Sequence, residues 1–200
     1  DLLRAVYDET EGVDGYASLE VNPHLAHDTD GTVVEARRLF AELDRPNVMM
    51  KVPATSAGMP AVHRLIGEGI NVNVTLLFSL KAYSDARQAY IAGLEDLKWT
   101  GGGPAGVASV ASFFVSRVDT AVDTLLGDRA PELAGHTAVA NAKLAYRDFQ
   151  EDFGGERFMA LQEAGARVQR PLWASTGVKN PVYSDVLYVE SLIGENTVNT

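Results

Sequence analysis

Short apolar runs of strand length alternate with amphipathic stretches of helix length along the whole of this sequence, and few folds satisfy that alternation. Strand-like runs fall at residues 15–21 (GYASLEV), 47–53 (NVMMKVP), 70–78 (INVNVTLLF), 107–117 (VASVASFFVSR), 167–175 (RVQRPLWAS) and 185–191 (DVLYVES). Between them, helical spacing of apolar residues predicts helices near 33–43, 59–68, 81–94, 118–126, 137–149 and 155–164. The first of these has Val33, Ala36, Phe40 and Leu43 as its stripe, and Thr32 and Glu35 stand at capping-box spacing. Crossovers of helical length join parallel strands. The class is therefore α/β, either as an open doubly wound sheet or as a (β/α)8 barrel. Six units do not close an eight-strand barrel, so a barrel reading leaves residues 1–200 two strands short.

A polar side chain on such a strand calls for an explanation, because parallel strands are covered on both faces and read as apolar runs. In 70–78, Val72, Val74 and Leu76 share one face, while Asn71, Asn73 and Thr75 share the other. Ser18 and Glu20 share a face near the end of the first strand, and Lys51 lies near the end of the second. Polar groups at the C-terminal ends of successive parallel strands converge where barrels and open sheets build their sites. A lysine sheltered there has its ammonium form disfavoured, and the neutral amine attacks carbonyls. Glu20 then moves protons, directly or through water, Asn73 orients the lysine or the substrate hydroxyls, and Thr75 holds the water. The competing reading is a structural ion pair between Lys51 and Glu20.

Arg117 follows the fourth strand and Lys179 the fifth, with Ser112 facing the same end. Two cations and a hydroxyl suit a phosphate monoester. The net charge of -10 and the lack of any basic run argue against nucleic acid and against an anionic membrane surface. No apolar run is long enough to span a bilayer. With no cysteine, there are no disulfides and no thiolate chemistry, which fits a reducing cytoplasm. GGGPAG at 101–106 lacks the Lys and Ser/Thr of a phosphate-cradling loop. The His24, His27 and Asp28 cluster has no third strong ligand nearby, so no metal is assigned. Asp119 and Asp123 are expected to favour the positive end of their own helix. Trp173 reads either as a wall of the site or as core.

The stretches DGYASLEVNPHLAHDT, RPNVMMKVPATSAGMPA, GINVNVTLLFS, SVASFFVSRVD, QRPLWASTGVKNP and DVLYVESLIGENTVNT resemble transaldolase, in the longer form typical of actinobacteria and cyanobacteria. The resemblance spans nearly the whole chain. It implies a (β/α)8 barrel, here a single domain with six of eight units in residues 1–200, the first two strands and the closing helix lying outside them. It implies transfer of a dihydroxyacetone unit between sugar phosphates: sedoheptulose 7-phosphate and glyceraldehyde 3-phosphate give erythrose 4-phosphate and fructose 6-phosphate. No cofactor is implied, and the setting is cytoplasmic. The family's Schiff-base lysine falls on Lys51, its carboxylate acting through water on Glu20, and its strand asparagine and threonine on Asn73 and Thr75. Its phosphate-binding serine and arginine fall on Ser112 and Arg117. Ser175 matches a further serine, and Lys179 is the candidate for a second cation. The family's aspartate shuttle and a further asparagine belong to the two earlier strands. An aldolase using the same imine, and a noncatalytic sugar-phosphate-binding barrel, are the alternatives.

Overall fold

The computed structural model describes residues Asp1–Thr200. A short helix α1 (Arg4–Glu9), which no pattern in the sequence announces, leads into β1 (Ala17–Glu20). There follow α2 (Thr29–Leu43), β2 (Val48–Pro53), α3 (Gly58–Gly67), β3 (Val72–Leu77), α4 (Leu80–Trp99), β4 (Ser109–Phe114) and α5 (Ser116–Leu126). The chain continues through α6 (Thr137–Phe153), α7 (Glu156–Gln162), β5 (Arg170–Ala174), α8 (Leu187–Leu192) and β6 (Val198–Asn199).

The six strands form one parallel sheet in the order β1-β2-β3-β4-β5-β6. A doubly wound sheet reverses its strand order at a switch point. None occurs here, so the sheet winds in one direction and curls into a partial barrel. Strand alternation sorts the side chains. Val48, Met50, Val52, Val72, Val74, Ala111, Phe113 and Trp173 enter the large core beneath the helices. Met49, Ala108 and Val110 form a smaller apolar cluster with Tyr16 and Leu172 on the concave face. The helices pack closely: a Cβ on Gly93 of α4 would stand 2.7 Å from the His63 carbonyl oxygen of α3 and from Ile66 Cβ.

Three expectations are corrected. Residues 185–191 do not form the sixth strand. Tyr188 and Leu192, four apart, are both buried on one side of α8, and the strand at the sheet edge is β6. A short apolar run carries no reliable period, and here the i,i+4 pairing prevails. The capping box is not formed. Asp28 caps α2 by accepting from Gly31 N at 2.9 Å, so the helix starts four residues before Val33. Thr32 instead donates to the Leu25 carbonyl, and Glu35 accepts from Asn22 N. Leu76 does not share a face with Val72 and Val74: the β3–β4 register shifts between Val74 and Leu77, Leu76 takes φ 62°, and Leu77 enters the core.

Candidate active site

The parallel register aligns the polar positions. Glu20 pairs with Lys51 across β1–β2, and Lys51 with Asn73 across β2–β3, so the three form one row across three strands. Neighbouring strands lie about 4.8 Å apart, which brings such a row within hydrogen-bonding reach. Thr75 is two residues further along the same face of β3, paired with Pro53. Lys51, Asn73, Thr75 and Ser112 all line a cavity of about 900 Å³ on the concave face. Its size is within the usual range for small-molecule sites.

Lys51 is not sealed in an apolar layer. Its side chain is 27% exposed, because β2 turns it onto the concave face while Met50 and Val52 go to the core. Its Nζ donates to Glu20 Oε1 at 2.6 Å, and Glu20 is 66% exposed. The ion pair weighed against the catalytic reading therefore forms, but it forms at the cavity. Asn73 is buried and held from both sides. Its Nδ2 donates to Ser18 Oγ at 3.0 Å, and its Oδ1 accepts from Ser112 Oγ at 2.7 Å. The two bonds fix which way the carboxamide points. Thr75 is also buried, and its Oγ1 has no hydrogen-bond partner in the protein. A buried hydroxyl without a partner is rare in the cores of folded proteins.

The residues expected to take a phosphate are dispersed. Ser112 Oγ is committed to Asn73, level with the lysine. Arg117 is exposed in the first turn of α5, with its guanidinium carbon 5.0 Å from the centre of the Phe114 ring, and it forms no ion pair. Phe114 in turn packs on Phe78, with ring centres 5.1 Å apart. Ser175 ends β5 with φ 57°, its Oγ 3.0 Å from Ser116 Oγ. Lys179 lines a separate hollow of about 200 Å³ with Asp119 and Asp123 rather than the large cavity. Trp173 belongs to the core: it is 1% exposed, packs edge-to-face on Phe113 and donates to the Leu192 carbonyl.

Ser18, which shares its face with Glu20, joins the site through its bond from Asn73. Asp119 and Asp123 do not simply favour their own helix dipole. Asp119 is 1% exposed and accepts from Ala138 N in the first turn of α6 and from Tyr188 OH. Asp123 accepts from Gly135 N and from Tyr183 OH. These partners lie far away in sequence, so no local pattern reports them.

Comparison with known proteins agrees with this architecture. The family model for transaldolase/fructose-6-phosphate aldolase matches residues 1–200. "Transaldolase 1" of Streptomyces avermitilis is 56% identical over 204 residues, covering 100% of this chain and 54% of that protein. "Transaldolase" of Thermobifida fusca is 55% identical over 204 residues, covering 100% of this chain and 55% of its own length. "Transaldolase" of Mycolicibacterium smegmatis is 54% identical over 204 residues, with the same coverage of 100% and 55%. The chain thus spans about half the length of the curated relatives it matches. A singly wound parallel sheet, a lysine presented on its concave face and a match along the full chain lead to one assignment: this chain belongs to the transaldolase/fructose-6-phosphate aldolase family.

Proposed function

We propose that this chain carries the reacting lysine of a transaldolase that moves a dihydroxyacetone unit between sugar phosphates. The observation that carries the reading is the row Glu20, Lys51, Asn73, of which Lys51 and Asn73 line a cavity of about 900 Å³ and Glu20 is bonded to Lys51. In the resting arrangement Lys51 is paired with Glu20. Glu20 takes the ammonium proton, directly or through water held by Thr75, and the freed amine attacks the C2 carbonyl of the donor ketose phosphate. The carbinolamine loses water as Glu20 returns the proton, leaving the imine. The C3–C4 bond then breaks. Its electrons pass into the protonated imine to give an enamine, the C4 hydroxyl gives its proton to a carboxylate base, the role of the family's aspartate shuttle, and the aldose phosphate departs. The enamine adds to the aldehyde of the acceptor, and hydrolysis of the new imine regenerates Lys51.

Asn73, its carboxamide fixed by Ser18 and Ser112, orients the hydroxyls of the three-carbon unit. Arg117, with no competing carboxylate, supplies the main charge for the substrate phosphate. Ser175, on the segment after β5, completes that end, with Lys179 on the same segment facing the separate hollow. The pair of substrates favoured is sedoheptulose 7-phosphate with glyceraldehyde 3-phosphate, in exchange with erythrose 4-phosphate and fructose 6-phosphate.

The test is borohydride trapping in the full chain with fructose 6-phosphate, followed by intact mass and peptide mapping. A stable adduct on Lys51, abolished in Lys51→Ala, is expected. An adduct mapped elsewhere, or none with binding intact, overturns the reading. Comparing turnover with and without erythrose 4-phosphate separates transfer from simple cleavage by the same imine.

A further inference from the structure

Asp119 is a carboxylate buried to 1% exposure that no step of the proposed reaction uses, and Asp123 stands four residues on along the same helix. Both face away from the large cavity. Around them, three segments distant in sequence come together. The start of α6 contributes Ala138 N, which donates to Asp119 Oδ1 at 2.7 Å, and the turn before it contributes Gly135 N, which donates to Asp123 Oδ1 at 3.1 Å. The connection from β5 to α8 contributes Tyr183, whose hydroxyl donates to Asp123 Oδ2 at 2.7 Å. The second residue of α8, Tyr188, donates to Asp119 Oδ2 at 2.8 Å. Gly135, at φ 77°, lies against the Tyr183 ring, where an added Cβ would come within 3.0 Å of Cζ. Each carboxylate thus holds one backbone amide and one phenol.

Residues 175–186 contain no helix or strand, and inside them a turn at Asn180, which accepts from Val182 N and Tyr183 N, shapes the path. Thr176 bonds to the Thr200 carbonyl and Val178 packs on the core, and at its two ends the segment is attached to α5, the helix whose first turn carries Arg117. At one end Ser175 Oγ meets Ser116 Oγ at 3.0 Å, and at the other the two phenols meet the two aspartates. Lys179, between these attachments, faces the same hollow as Asp119 and Asp123. Hydrogen bonds to ionised groups are the stronger ones, and tying down a free segment before a ligand arrives removes an ordering cost from binding. The hydroxyls remain donors across the neutral range. The bond to Asp123 raises the Tyr183 phenol above its ordinary value, and burial, then the bond to Asp119, raises Tyr188.

We propose that Asp119 and Asp123 are positioning residues, which by holding Tyr188 and Tyr183 clamp the β5–α8 segment onto α5 and so fix the position of Ser175 and Lys179 relative to Arg117. The inference rests on the reading that this end of the site takes the substrate phosphate. The clamp acts on phosphate recognition and leaves the lysine chemistry alone.

Tyr183→Phe in the full chain is the test, because Tyr183 is only partly buried and the change removes a single hydroxyl. Hydrogen exchange over residues 175–186 is expected to speed up. KM for fructose 6-phosphate is expected to rise about tenfold, equivalent to about 1.4 kcal/mol. Meanwhile kcat, and the rate of borohydride trapping with unphosphorylated dihydroxyacetone, stay within about twofold. Asp123→Leu should reproduce these effects, and Asp123→Asn, which keeps an acceptor oxygen, should restore most of the affinity. Unchanged exchange over 175–186 would overturn the clamp. Faster exchange with unchanged KM would overturn its role in positioning, as would an equal loss of trapping with dihydroxyacetone. If the wild type traps neither ketone, the proposed lysine chemistry falls, whereas the exchange comparison still decides whether the clamp exists.

Discussion

Asn73→Ala separates what the concave face does for chemistry from what it does for stability. The carboxamide makes two hydrogen bonds, one to Ser18 Oγ at 3.0 Å and one from Ser112 Oγ at 2.7 Å. Ser18 sits on an exposed strand and regains water when its partner goes, so that bond contributes little to the balance. Ser112 is 3% exposed and loses its acceptor. Leaving a buried hydroxyl unpaired costs about 1–3 kcal/mol. Ser112 also lines the large polar cavity, which has room for water, and this limits the loss to about 1–2 kcal/mol. For a chain of this size such a loss lowers Tm by about 2–8 °C. The effect on reactivity should be larger, because a misplaced reacting group commonly costs about a hundredfold in rate. Calorimetry of the full chain gives the first quantity, and the rate of borohydride trapping with fructose 6-phosphate gives the second. A trapping rate within twofold of wild type would reduce Asn73 to scaffolding. A stability loss beyond about 4 kcal/mol would show that Ser112 cannot be rehydrated, and the reasoning from the cavity would fail.

Two further predictions concern the scaffold. Gly93→Ala should destabilise by about 1–3 kcal/mol in urea unfolding, because its methyl group meets the His63 carbonyl and Ile66 Cβ and forces α3 and α4 apart. Stability should also fall at alkaline pH. Burial, with the neighbouring Tyr7, pushes the Tyr16 hydroxyl up to about 12, and burial pushes Tyr83 and Tyr90 above the ordinary tyrosine range. The folded protein therefore keeps protons that the unfolded chain releases near pH 10. The stabilisation is complete below about pH 10 and is lost as the pH climbs toward and past 12. The urea midpoint should hold steady from pH 8 to 9 and drop from 10 to 12, less steeply in Tyr90→Phe.

Much of this arrangement was legible because a strand's period of two is strict. Asn73 and Thr75 share a face, Ser18 and Glu20 share another, and Lys51 lies near the end of the strand between them, so consecutive parallel strands bring Glu20, Lys51 and Asn73 together. What stayed hidden depends on contacts between distant segments. Tyr188 meets Asp119 across 69 residues, and nothing near either residue signals it. The same contact sits on α8, where the short apolar run at 186–189 reads as a strand. Ser112 was read as a phosphate ligand from its place before Arg117, but its partner is set by the neighbouring strand, which its own segment does not encode. The register shift at Leu76, with φ 62°, is likewise a property of how β3 meets β4.

The exposure of the Lys51–Glu20 pair bears on which of its two readings is preferable. Removing one partner of a buried ion pair costs about 3–5 kcal/mol, because the charge left behind is uncompensated. The Arg87–Asp152 pair has that character on the arginine side, which is 4% exposed and stacks on Tyr83. Lys51 and Glu20, at 27% and 66% exposure, are screened by solvent, where pairs are worth about 0–1 kcal/mol. Such a weak pair does little for the fold, yet it holds the amine beside a proton acceptor and releases it at small cost. A lysine on the core side of β2, where Val52 lies, would have its ammonium desolvated among apolar side chains at a heavy cost to the fold. Its place on the concave face, next to a fixed carboxamide and a hydroxyl with no partner, is better explained by reaction with a ligand than by support of the sheet.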